Sequence, residues 1–185
     1  MKYNRSWLES ELAQDKRIKY LFFWGHRAAN DGAVSASCFS QWWEDHTFDE
    51  GGISYRTTEH YMMAGKARLF DDEQSLRKII DARSPAEAKK LGREVKNFEQ
   101  SVWQANRCEI VIKGNYLKFS QDAVLKNFLL NTHQRVLVEA SPVDNIWGIG
   151  LAKDDIKAQN PYAWKGDNLL GFCLMEVRDR LKVTI

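Results

Sequence analysis

From Thr57 onward the sequence is punctuated as a series of helices, which limits the chain to a fold with few, short strands. Thr57 or Thr58 caps a helix that begins at Glu59, and Asp71-Asp72 caps another that runs roughly to Ala82. Ser84-Pro85-Ala86-Glu87 is a full start signal: a capping serine, a proline whose missing N–H is not needed there, and a glutamate three residues after the cap. Gly92 reads as the end of that helix. A long helical run opens at Asn97 or just after it and reaches about Phe119. A short helix follows over Gln121 to Leu130, and Asp167 or Asn168 caps a last one to about Lys182. Near the start, Ser6 caps a helix from Trp7 to about Lys16, so that 1–19 form a helical extension.

Extended segments are brief. Tyr20–Trp24 is apolar and aromatic, and it reads as a buried strand, as does Val136–Glu139. A hairpin is expected between Trp42 and Tyr55 across Gly51-Gly52, with Ile146–Gly148 as another extended piece. Asn30-Asp31-Gly32 marks a turn, and 152–166 is a polar loop. The βαβ alternation of a parallel nucleotide-binding sheet is missing. The expected architecture is one α+β domain over 1–185, mainly α-helical, with a small β-sheet.

Composition narrows the functional classes. The chain has 185 residues, enough for one ample core, and its formal net charge is +2. That charge does not call for a polyanion partner, yet it leaves room for a small phosphorylated substrate. Three cysteines are widely spaced with no Cys-x-x-Cys, and four histidines form no zinc-binding pattern, so neither a disulfide framework nor a metal site is expected. No stretch approaches the ~18 apolar residues of a membrane span, and the N-terminus lacks an apolar signal core. The expectation is a cytoplasmic protein without a membrane association or an evident protein partner.

The candidate chemistry lies in Thr57–Lys66. Glu59 and Lys66 are seven residues apart, on one side of an otherwise apolar segment. On a helix they share a face with backbones roughly 10 Å apart, too far for a tight ion pair but suited to framing a small ligand. Two readings stand: a solvated pair, or a carboxylate and an amine used on a substrate. In the second, Glu59 sits where helix N–H groups favour its ionised form, able to activate water or support a cationic sugar. Lys66 then holds phosphate, acts as an acid, or attacks a sugar carbon as an amine. Trp103 and Trp147 are core residues or stacking surfaces for a planar base. Asp144 is a turn residue or a polar contact beside Gly148 and Gly150, where glycine allows a ligand close to the backbone. Arg93 is a surface arginine or a two-pronged phosphate ligand. Dinucleotide-binding, triphosphatase, kinase and α/β-hydrolase motifs are missing.

Taken in order, a set of fragments resembles the NADAR family of YbiA-like proteins. They are Thr58-Glu59-His60-Tyr61 with Lys66, Leu91-Gly92-Arg93, Trp103, Lys118-Phe119 and Leu137-Val138-Glu139. Asp144 with Trp147-Gly148-x-Gly150 follows, then Gly166-x-Asn168-Leu169-x-Gly171-x-x-Leu174-Met175-x-x-Arg178. The resemblance implies a mainly α-helical YbiA-like fold and N-glycosidase activity without a cofactor. Its implied substrates are phosphoribosylamino-pyrimidine intermediates of early riboflavin biosynthesis, cleaved to release ribose 5-phosphate. The alternatives are ADP-ribosylated guanine in nucleic acid, or an ADP-ribose- or NAD-binding module without catalysis. Under this reading Glu59, Lys66 and Asp144 are catalytic, and Arg93, Trp103, Trp147, Gly148 and Asn168 bind substrate. The family's usual Ser-Asn-Phe near the start is replaced here by Phe39-Ser40-Gln41-Trp42.

Overall fold

The computed structural model describes residues 1–27 and 33–183; the turn expected at Asn30-Asp31-Gly32 lies outside them. Seven helices occur among the described residues: α1 (Arg5–Ala13), α2 (Thr58–Leu69), α3 (Glu73–Ile80), α4 (Pro85–Arg93), α5 (Gln100–Ser120), α6 (Ala123–Leu130) and α7 (Leu169–Val183). Four short strands accompany them: β1 (Tyr20–Phe23), β2 (Phe48–Glu50), β3 (Ile53–Tyr55) and β4 (Val136–Glu139). The mainly helical α+β expectation holds, but the strands form two separate pairs rather than one sheet. β2 and β3 are an antiparallel hairpin that turns through Gly51 and Gly52, both at positive φ. β1 and β4 pair in parallel, with Tyr20 opposite Val136 and Phe23 opposite Glu139.

Capping accounts for most helix starts. Side chains of Thr57, Asp72, Ser84 and Asp122 accept backbone N–H groups in the first turns of α2, α3, α4 and α6. Elsewhere the boundaries differ from expectation. Asn4, not Ser6, caps α1, accepting Trp7 N–H at 2.8 Å. α5 begins at Gln100 because Asn97 is in the left-handed region (φ 53°), which a right-handed helix excludes. Gly92 does not end α4; it lies inside the helix, where any Cβ would collide with Met63 of α2. Trp42 stands before the hairpin, not within it, and Ile146–Gly148 forms a turn instead of an extended piece. Asp144 Oδ1 folds that turn by accepting the N–H groups of Ile146 and Trp147, each at 2.8 Å. The 152–166 loop contains two short 3-10 turns and is anchored by buried Trp164, whose indole N–H donates to Ala158 O at 2.8 Å.

The core forms where α2 packs on α3, α4 and α5, α5 packs on α7, and α7 covers β4. Close approach depends on small residues: a Cβ on Gly114 of α5 would stand 2.6 Å from the Tyr61 ring of α2. Where α7 meets β4, a Cβ on Gly171 would stand 2.1 Å from Leu137 O and 2.6 Å from Asn168 Nδ2. Gly171→Ala therefore has to push α7 off the strand. We expect a loss of at least about 2 kcal/mol, measured by thermal or denaturant unfolding. No helix among the described residues is long and apolar enough to cross a membrane.

Candidate active site

Parallel strands end on the same side, so β1 and β4 both open at Phe23 and Glu139. A cavity of about 840 Å³ lies at that end. α2, α4, the first turn of α5 and the loop after β4 close its sides.

Glu59 enters from the first turn of α2 and is 3% exposed. The divergent Phe39–Trp42 segment holds that helix start. Gln41 O accepts Glu59 N–H at 3.0 Å and Thr58 Oγ1–H at 3.3 Å. The Trp42 side chain lies close enough to the Glu59 carboxylate to favour its ionised form. Buried Lys118 secures the segment from below, donating to Cys38 O at 2.6 Å and Ser40 O at 3.3 Å. Burial lowers that ammonium's pKa to about 8.

Burial pushes the Glu59 carboxyl up to about 7; Lys89 and Trp42 oppose the rise and Asp144 adds to it. Its Oε1 is buried without a hydrogen-bond partner among the described residues. Glu139, at the end of β4, lines the same cavity. Burial, helped by the charges of Asp144 and Glu59, pushes Glu139 up to about 8, and its Oε2 also lacks a partner. Asp144 supplies a third carboxyl, held at Oδ1 by the turn it folds. Three carboxyl groups in one cavity cannot all ionise cheaply, so a proton resides among them near neutral pH.

Lys66 lines the other end of the α2 face. Its ammonium donates to Gly92 O at 2.7 Å and lies 4.2 Å from the Phe98 ring centroid and 5.8 Å from that of Trp103. It forms no salt bridge among the described residues, and burial lowers its pKa from the ordinary 10.5. Arg93 and Lys89 bring positive charge from α4, while Trp42, Trp103 and Trp147 contribute aromatic surface.

Six of the eight expected site residues therefore meet at one cavity: Glu59, Lys66, Arg93, Trp103, Asp144 and Trp147. Gly148 and Asn168 lie behind the wall. A Cβ on Gly148 would stand 2.9 Å from Glu139 O, so glycine there admits the backbone of β4 instead of a ligand. Asn168 is fully buried; its Oδ1 accepts Glu139 N–H and its Nδ2 donates to Leu137 O, both at 2.9 Å. It positions the strand end that carries Glu139. Sequence reasoning gives no site role to Lys89, nor to Glu139 and Trp42, which enter only as parts of the resembling Leu137-Val138-Glu139 and the divergent Phe39–Trp42 segments. The signal for Glu139 was a charged residue closing an otherwise apolar strand; nothing local marked Lys89.

Comparisons with known proteins identify the family and the fold. The family model of the NADAR domain matches residues 22–182. N-glycosidase R617 of Acanthamoeba polyphaga mimivirus is 41% identical over 165 residues, 87% of this chain and 95% of that protein. N-glycosidase YbiA of Escherichia coli (strain K12) is 33% identical over 132 residues, covering 71% of this chain and 74% of that one. The NMR structure of E. coli YbiA matches the fold with a TM-score of 0.71 at 27% identity, over 91% of this chain and 88% of the other. The chloroplastic riboflavin biosynthesis protein PYRR of Zea mays is 34% identical over 146 residues, 74% of this chain but 22% of that longer protein. With a match across nearly its whole length and a carboxyl-lined cavity at its centre, the chain belongs to the NADAR family of N-glycosidases.

Proposed function

We propose that this protein hydrolyses the N-glycosidic bond of a phosphoribosylamino-pyrimidine, releasing ribose 5-phosphate and the free aminopyrimidine. The observation that carries the reading is that Glu59, buried, and Glu139, half-buried, line one cavity beside a third carboxyl, Asp144, each of the two with a buried oxygen that has no hydrogen-bond partner among the described residues. Burial raises their pKa values to about 7 and about 8. The maize relative's name, with its reference to riboflavin biosynthesis, supports the substrate class.

Cleavage at the sugar C1 builds positive charge on the ring and negative charge on the departing nitrogen. Glu139, the carboxyl with the higher pKa, keeps its proton at neutral pH and gives it to that nitrogen as the C1–N bond breaks. Water then adds to C1 and passes a proton to Glu59, the carboxyl that ionises first of the two. Asp144 faces the ring cation or a ribose hydroxyl. Trp103 and Trp147 enclose the flat base, and Arg93 with Lys89 takes the phosphate, for which the guanidinium fork is well shaped. Lys66, desolvated and held by Gly92 O, remains available as an amine toward an opened ribose.

The test incubates purified protein with the pyrimidine intermediate, and with an ADP-ribosylated oligonucleotide in parallel, and follows release of ribose 5-phosphate or ADP-ribose. Turnover of the first and not the second is the expected result; the reverse overturns the substrate. Borohydride added during turnover separates the lysine roles, because only an imine at Lys66 leaves a reduced adduct detectable by mass spectrometry.

A further inference from the structure

The parallel β1–β4 pair has a second open end. Four residues of strand separate it from the active site by roughly 10 Å of backbone. There, where Val136 N–H donates to Lys19 O at 2.9 Å, a cavity of about 890 Å³ lies between α1 with its following loop, the Thr132–Arg135 turn and the last turns of α7. Much of one wall comes from residues 2–19, ahead of the segment that the NADAR family model matches.

The charge in this cavity is unbalanced. Seven lining side chains are lysine or arginine, against two carboxylates, Glu11 and Asp179. Both carboxylates are engaged: Glu11 with Lys16 at 2.9 Å, and Asp179 with Tyr3 Oη at 2.6 Å, Lys2 at 3.1 Å and Lys182 at 3.6 Å. Arg17, Lys19, Arg135 and Arg178 have no carboxylate within ion-pair distance among the described residues. Arg178 is the decisive one, because it is 2% exposed. Its Nη1 donates to Thr132 Oγ1 and Arg135 O, each at 2.8 Å, and its Nε is buried without a partner. Its hydrogen-bond partners are neutral, and the charge of Asp179, already shared with Lys2 and Lys182, does not cancel the lowering of its pKa by burial. An anion beside such a guanidinium offsets the cost of burying it.

We infer that this cavity is a second ligand site, which binds a small molecule bearing one or two phosphate groups. The volume suits a nucleotide-sized ligand, the arginines suit phosphate geometry, and Trp7 and Ile18 supply an apolar wall. A concave site with its key cation buried favours a small anion over a nucleic-acid backbone. The inference is independent of the proposed reaction.

Trp7 makes the site testable on the intact chain, because its indole lies here whereas Trp103 and Trp147 line the catalytic cavity. Inorganic pyrophosphate is titrated into ¹⁵N-labelled protein while the indole N–H signals are followed. The Trp7 signal should shift and saturate. The apparent Kd should rise at least about tenfold in Arg178→Lys and in the double variant Arg17→Glu/Arg135→Glu, whose exposed positions leave the core intact. A Trp7 signal that does not move, or a Kd unchanged in the double variant, overturns the inference. So does a Trp7 response to a duplex oligonucleotide with none to pyrophosphate.

Discussion

Glu59→Gln should fold normally and lose on the order of 10³-fold in kcat, about 4 kcal/mol of transition-state stabilisation. The isosteric amide keeps the shape of the first turn of α2 and its backbone bond to Gln41 O, so thermal unfolding should match wild type at and below about pH 4.5 and exceed it as pH rises toward 7. What disappears is a carboxyl whose charge changes close to neutral pH and which, in the proposed reaction, takes the proton of the attacking water. Substrate binding depends chiefly on the tryptophans and Arg93 in this reading. KM should therefore change far less than kcat, separating loss of chemistry from loss of binding. Ribose 5-phosphate release by a folded Glu59→Gln protein at wild-type turnover would show that the chemistry is centred elsewhere.

Glu139→Gln should act on rate and stability in opposite directions. If Glu139 is the proton donor of the proposed reaction, wild-type kcat should fall as pH rises through about 8, and ionisation of Glu59 through about 7 should set the acid limb. The two titrations are coupled, so the measured values belong to the pair. The variant should lose ~10²–10³-fold in kcat along with the alkaline limb. For stability, both carboxyls have folded pKa values above the ordinary 4.5. The folded state therefore binds more protons than the unfolded chain between those values. Stability is greatest below about pH 4.5 and falls as pH rises through about 7 and then about 8. Removing the Glu139 charge cancels its share, on the order of several kcal/mol. At pH 9 the variant should melt about 5–10 °C above wild type, with the gap closing toward pH 4.5. A variant less stable than wild type at pH 9 would mean that Glu139 is ionised and compensated in the native protein.

Local chemistry was legible wherever it is decided within a few residues. The caps at Thr57, Asp72 and Ser84 depend on an oxygen reaching an N–H two or three residues away, and they were read correctly. The Glu59–Lys66 spacing was legible for the same reason, since a helix converts sequence distance directly into position on a face. Boundaries are legible only to within a few residues where a single backbone angle decides them, as Asn97 in the left-handed region sets the start of α5 at Gln100, and they shift where packing overrides propensity. Gly92 is a helix-ending residue by its local sequence, yet in the fold it is the gap that admits Met63. The family resemblance implies that Asn168 and Gly148 bind substrate. The structure places them one layer behind the cavity, bonded to or packed against β4.

By itself, the sequence determined that this chain is mainly helical, that its strands are few, and that a carboxylate and an amine share the face of α2, because those properties follow from residues close together. Only the tertiary structure decided which charges matter. Glu139 lies 80 residues from Glu59, and the two influence each other because β4 pairs with β1 beside the start of α2. Lys66 and Glu59, the pair that the sequence made conspicuous, do not meet as an ion pair; Lys66 donates instead to Gly92 O. A carboxyl's proton affinity is set by burial and by charges brought close through folding, and neither is encoded by neighbours along the chain.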